Sequence, residues 1–184
     1  MSKPIKVLDM DLSQMMFSNL EDSPFVKSQK TAHIYYGKEG NLLTIQTPEI
    51  LTESYGIPGE SQYYNTIQSR SFYKLPFCFD RKQYENEVDY SLIKLFHDKL
   101  LEIDNYCNTD EFRTKLFANN ANKYEYQPIV RFPSEDDVNN QYYRPPYIKV
   151  KLVLDQISSK PYFSVFNNLD GKRESIEVKN LRSY

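Results

Sequence analysis

The sequence predicts a mainly β domain with a two-helix insertion over about residues 86–118. Three observations carry this. Alternating apolar and polar residues mark segments before residue 80 and after residue 123. A spacing of three and four takes over between them. The resulting order of strands, helices and strands differs from the regular alternation that builds a parallel α/β sheet.

The elements follow in chain order. Residues 3–20 form a lead-in with one apolar run, Ile5 to Leu8, punctuated by Asp22-Ser23-Pro24. Thr31–Tyr36 and Leu42–Thr47 flank Gly37-Lys-Glu-Gly-Asn41 and predict a hairpin stopped by Pro48. Residues 48–69, with Gly56, Pro58 and Gly59, read as a long surface loop. Between Ser69 and Phe79, Tyr73, Leu75, Phe77 and Phe79 share one face and Arg70, Phe72 and Lys74 the other. Pro76 points to an edge strand or a strand break.

Val88, Leu92, Leu95, Phe96, Leu100 and Ile103 then predict an amphipathic helix, capped by Asn86 or Asp89. A second helix is expected from about Asp110 to Phe117, with Asn108 or Thr109 as its cap and Asn119-Asn120 at its end. Strands resume at Lys123–Arg131, interrupted at Pro128, and after an acidic loop at Tyr147–Leu154. There Ile148, Val150, Leu152 and Leu154 oppose Tyr147, Lys149, Lys151 and Val153. Tyr162–Phe166 and Ser175–Val178 are the last strands, joined through the turn residues 167–171. One domain over 1–184 accommodates all of this.

Composition narrows the function. The chain has 184 residues, enough for a core without staples. Its 23 Lys and Arg against 25 Asp and Glu exclude a globally basic nucleic-acid binder but not a local basic surface. No apolar run reaches the roughly 20 residues of a membrane-spanning helix, and the N-terminus lacks a secretory pattern. A soluble intracellular protein is expected, with no membrane partner. Cys78 and Cys107 suit buried thiols rather than a disulfide framework or a zinc site.

No enzyme motif emerges. The five glycines assemble neither a phosphate loop nor a nucleophile elbow. His97 reads as a polar-face helix residue, His33 as a structural or solvated strand residue, and Glu135-Asp-Asp137 as a solvated loop. No catalytic residue, metal or cofactor is expected.

The positive signal is the interleaving of rings and cations in a chain with 16 Tyr, 11 Phe and no Trp. Arg70, Phe72 and Lys74 alternate on one strand and Tyr147, Lys149 and Lys151 on another; Lys123, with Tyr124 or Tyr126, and Arg131 add a third. Flat rings stack on unpaired bases while cations track phosphates, the chemistry of single-stranded nucleic-acid binding. Solvated strand faces carry similar patterns, so spacing alone leaves both readings open.

Three segments together carry a family likeness: Leu43-Thr-Ile-Gln-Thr-Pro48 with Tyr55-Gly-Ile57; Ser71-Phe-Tyr-Lys-Leu-Pro-Phe77 leading into the helix at 92–103; and Tyr143-Arg-Pro-Pro-Tyr-Ile-Lys-Val-Lys-Leu152 with Phe163-Ser-Val-Phe166. Over about residues 30–180 the sequence resembles the single-stranded DNA-binding proteins of nucleocytoplasmic large DNA viruses. That resemblance implies an OB-like antiparallel barrel. It also implies a non-catalytic protein that coats single strands in viral replication, repair or recombination, in the host cytoplasm, the viral factory or the virion. Members of the family continue with further strands beyond the point where this chain stops, at Leu181-Arg-Ser-Tyr184. Expected partners are single-stranded DNA, with replication proteins and further copies of the chain as additional candidates. The rival readings are a structural or virion-associated protein–protein module and an RNA-binding module.

Overall fold

The computed structural model describes residues 4–23, 28–50, 72–77, 89–117, 123–133, 145–151, 165–169 and 172–176. The chain divides into two compact units, residues 1–49 with 79–130 and residues 50–78 with 131–184.

The first unit is organised on a helix. α1 (Tyr90–Cys107) starts at Asp89, whose carboxylate accepts from the backbone N–H of Ser91 at 2.9 Å and of Leu92 at 3.3 Å. Bonds from the Ser91 hydroxyl and the Leu92 amide hold the Asp89 carboxyl below its usual range. Ile93, Phe96, Leu100, Ile103 and Cys107 form its buried stripe; the spacing predicts Phe96, Leu100 and Ile103 there, whereas Leu92 and Leu95, predicted with them, are only half-buried and Ile93 and Cys107 take the inner positions instead. α2 (Asp110–Phe117) is capped by Thr109, whose Oγ1 accepts from the Phe112 N–H at 3.3 Å. Asp110 and Glu111 in its first turn and Lys115 in its last match the helix dipole.

Short elements surround these helices. β1 (Ile5–Lys6) runs into 3-10 turns at Val7–Asp9 and Leu12–Gln14, followed by β2 (Met15–Phe17), β3 (Glu21–Asp22), β4 (Lys30–Thr31), β5 (Ile34–Tyr36), β6 (Asn41–Leu42) and β7 (Ile45–Gln46). The lead-in is therefore structural: Val7 and Met10 are buried, and the first 3-10 turn packs on α1. The expected hairpin forms between β5 and β6, with Tyr36 opposite Asn41 and Tyr35 opposite Leu42. Gly37 and Gly40 sit at φ +72° and +62°, where a Cβ would be strained. β7 then leaves the hairpin and pairs in parallel with β1, Ile45 opposite Ile5.

In the second unit, β8 (Phe72–Pro76) pairs antiparallel with β10 (Tyr147–Lys151), and the hairpin of β11 (Val165–Leu169) and β12 (Lys172–Ile176) forms a separate sheet. β9 (Val130–Arg131), where the chain passes between units, lies on the other side of β10, in the order β8-β10-β9. Among the described strands β8 thus stands at a sheet edge, a position that accommodates Pro76.

The OB-like barrel is not what forms. The described strands fall into five separate sheets of two or three strands, and no barrel closes among them. The fold is mixed α and β, with scattered short strands, rather than mainly β. Alternation reports that a segment buries one face; it carries no information on which edges meet. Here the lead-in and β7 pair with each other, and the helices serve as the centre of a unit rather than as an insertion.

Lys123–Arg131 also departs from expectation, since only Val130 and Arg131 are strand. Asp104 on α1 explains this. It is 5% exposed and accepts from the Ile129 N–H at 2.8 Å, the Val130 N–H at 2.9 Å and the Tyr126 hydroxyl at 2.7 Å. The Ile129 amide is thereby committed to that carboxylate and Pro128 has no N–H to give, so the two positions just before β9 offer no ladder donor. His97 corrects another expectation: it is buried within the apolar stripe, its Nδ1 3.0 Å from Asp98 Oδ1. His33 is exposed, and its ring lies 6.5 Å from that of Tyr35.

Candidate nucleic-acid interface

The β8–β10 register decides which of the sequence-derived candidates share a face. Lys149 lies opposite Lys74, Lys151 opposite Phe72 and Tyr147 opposite Pro76. Directly opposed residues in an antiparallel pair project to the same side, as do residues two apart along a strand. Positions 72, 74, 147, 149 and 151 therefore occupy one side of the pair. Ile148, Val150, Tyr73 and Leu75 occupy the other. Burial agrees with this division: Ile148 is buried, whereas Lys149 is exposed and Tyr147 half-buried. Beyond the strand end, the Phe77 N–H donates to the Pro146 carbonyl at 2.8 Å, and the Phe77 side chain is fully buried.

The other candidates are placed differently. Arg131, half-buried, lies on β9 of the same sheet. Arg70 lies outside the described residues, as do the 48–69 loop beyond Ile50, the 135–137 acidic cluster and the Asn119-Asn120 helix end. Lys123 and Tyr126 belong to the first unit, where both line a cleft of about 520 Å³.

That cleft lies between α2, residues 28–34 and residues 123–129, with Phe17, Ile34, Phe112 and Ile129 among its apolar lining. Phe17, Tyr106 and Phe112 form a ring cluster, with Phe17 and Phe112 edge to face at 4.7 Å. Phe117 and Tyr124 stack at 5.0 Å with 22° between their planes. Arg113 Nη2 donates to the Tyr124 carbonyl at 2.7 Å and fixes that wall to α2. Lys30 is ion-paired with Asp22.

Tyr126 is bound through its hydroxyl to Asp104, and its ring contributes to the wall. Burial, and then the bond to Asp104, pushes its phenol pKa above the ordinary value. Burial likewise pushes the Cys107 thiol up to about 11, which keeps it protonated and unreactive near neutrality.

Sequence reasoning missed Asp104, Arg113 and the cleft. One signal pointed to the first. Asp104 follows Leu100 by four residues and Ile103 by one, an acidic side chain set into an apolar stripe. A carboxylate there needs donors from another segment. Among the described residues no group of three His, Cys, Asp or Glu is placed to hold a metal ion, and no helix is long and apolar enough to cross a membrane.

No family model matches the chain, and no solved structure matches it. The sequence is similar to a protein of Acanthamoeba polyphaga mimivirus described as uncharacterized, at 28% identity over 99 residues. The match covers 52% of this chain and spans 22% of that protein's length.

Proposed function

We propose that this chain binds single-stranded DNA without strong sequence preference, as a non-catalytic and cofactor-free component of viral DNA replication, repair or recombination. The observation that carries this reading is the β8–β10 register. It sets two lysine positions, 74 and 149, directly opposite each other, with Lys151, Phe72 and Tyr147 on the same side. Residues two apart on a strand recur at about 7 Å, so rings and cations meet successive unstacked nucleotides along the face. The mimivirus relative supports the viral setting.

The test is a titration of a fluorescein-labelled oligothymidylate at 50 and 200 mM salt, read by anisotropy. Affinity should fall steeply with salt, and Lys149→Ala should reduce the slope of log K against log salt by about 1. Absence of binding at 50 mM salt, or a flat salt response, would overturn the reading. An RNA strand that competes better than DNA of equal sequence would reassign the ligand through its 2′-OH groups.

A further inference from the structure

The first-unit cleft has a chemistry of its own, which does not depend on the sheet face. Its volume, about 520 Å³, falls in the range of small-ligand sites, about 300–1,000 Å³. Its lining joins aromatic side chains to three cations, Lys30, Arg113 and Lys123, against one carboxylate, Glu125. Lys30 is occupied by Asp22, but Lys123 is exposed and makes no ion pair with a described residue. Phe117 and Tyr124, stacked on each other, line the cleft together with Lys123. A ligand matched to both features is planar at one end and anionic at the other.

We propose that this cleft is a nucleotide site, with the base against the aromatic lining at Phe117 and Tyr124 and the phosphate held by Lys123. A free nucleotide and the terminal nucleotide of a strand share this chemistry. The experiment separates the two sources.

Calorimetric titration of the full chain uses dAMP, dTMP, deoxyadenosine and deoxyribose 5-phosphate as probes. Both nucleotides should bind, and the two fragments should each bind at least about tenfold more weakly than dAMP, because each lacks one half of the match. Lys123→Glu, at an exposed position, and Phe117→Leu, which keeps an apolar side chain but removes the flat face, should each weaken dAMP about tenfold or more. Far-UV circular dichroism checks that both variants fold. Lys149→Ala should leave dAMP binding unchanged, so failure of the cleft and failure of the sheet face are read separately. A 5′-phosphorylated oligothymidylate that displaces dTMP makes a strand terminus the source. One that does not displace it leaves the free nucleotide. The proposal is overturned if dAMP gives no saturable heat at millimolar concentration, if Lys123→Glu and Phe117→Leu bind it as the parent does, or if laurate occupies the cleft and dAMP does not.

Discussion

Asp104→Asn tests how the first unit is held together. In the parent, Oδ1 accepts from the Tyr126 hydroxyl at 2.7 Å and the Ile129 N–H at 2.8 Å, and Oδ2 accepts from the Val130 N–H at 2.9 Å. Asparagine keeps one acceptor oxygen. If that oxygen retains the Oδ1 bonds, the new NH2 group points at the Val130 amide, donor against donor, in a place where Val130 is 1% exposed. A hydrogen bond to a charged group contributes about 1.5–3 kcal/mol, and a buried donor left without a partner costs about 1–3 kcal/mol. The two overlap, so about 3 kcal/mol of destabilisation is expected, a large part of the roughly 5–15 kcal/mol of a whole domain. Tyr126→Phe removes one bond and leaves both amides satisfied, so it should cost about 1–2 kcal/mol. Urea unfolding followed by far-UV circular dichroism reports the sum. Amide hydrogen exchange at Ile129 and Val130 localises it, with protection lost there in Asp104→Asn and kept in Tyr126→Phe. An Asp104→Asn variant within about 0.5 kcal/mol of the parent, with Val130 still protected, would refute the reasoning.

Further outcomes follow from other parts of the molecule. Because burial pushes the Cys107 thiol from its ordinary 9.0 up to about 11, the unfolded chain releases this proton first as pH rises. The folded state then holds more protons, so stability should fall between pH 9 and 11, with Tyr126 acting in the same direction. Urea midpoints at pH 7.5, 9 and 10.5 should show this fall, and Cys107→Ala should lessen it; a decline identical in the variant would contradict the assignment. Gly37→Ala should cost about 1 kcal/mol from backbone strain alone, since the added Cβ at φ +72° would meet nothing within 4 Å. Thr109→Ala should cost about 1 kcal/mol through loss of the α2 cap, seen as a lower thermal midpoint; an unchanged midpoint would show that Thr109 Oγ1 contributes nothing to α2.

Local features were legible in the sequence where a residue's own chemistry decides its conformation. Gly37 and Gly40 occupy the positive-φ positions of a turn, Asp89 caps α1, and the three-and-four spacing places Phe96, Leu100 and Ile103 on the buried face of α1, though not Ile93 and Cys107. The shared side of positions 72 and 74, and of 147, 149 and 151, was legible as well, because the pleat enforces it. Their opposition across two strands was not. Residues 76 and 147 are far apart in the chain, and no local pattern specifies which strand edges join. The barrel expectation failed for the same reason. At 123–129 the alternation of Tyr124 and Tyr126 with polar neighbours looks like a strand, yet Pro128 has no N–H and a carboxylate on α1 takes the amide of Ile129. The cleft escaped notice because its walls come from segments about 90 residues apart, each unremarkable alone.

Neither unit is a continuous stretch of polypeptide. The chain changes unit between residues 49 and 50, 78 and 79, and 130 and 131. On the ribosome, the first unit cannot be completed until Val130 has emerged, and β8 must wait for β10 to be translated before its ladder can form. Two half-built cores are thus exposed together in the nascent chain, a slow-closing topology that invites chaperone binding and makes early termination products prone to aggregate. No single truncation yields either unit whole. Isolating the first requires both ending the chain at Val130 and excising residues 50–78 with Glu49 rejoined to Phe79.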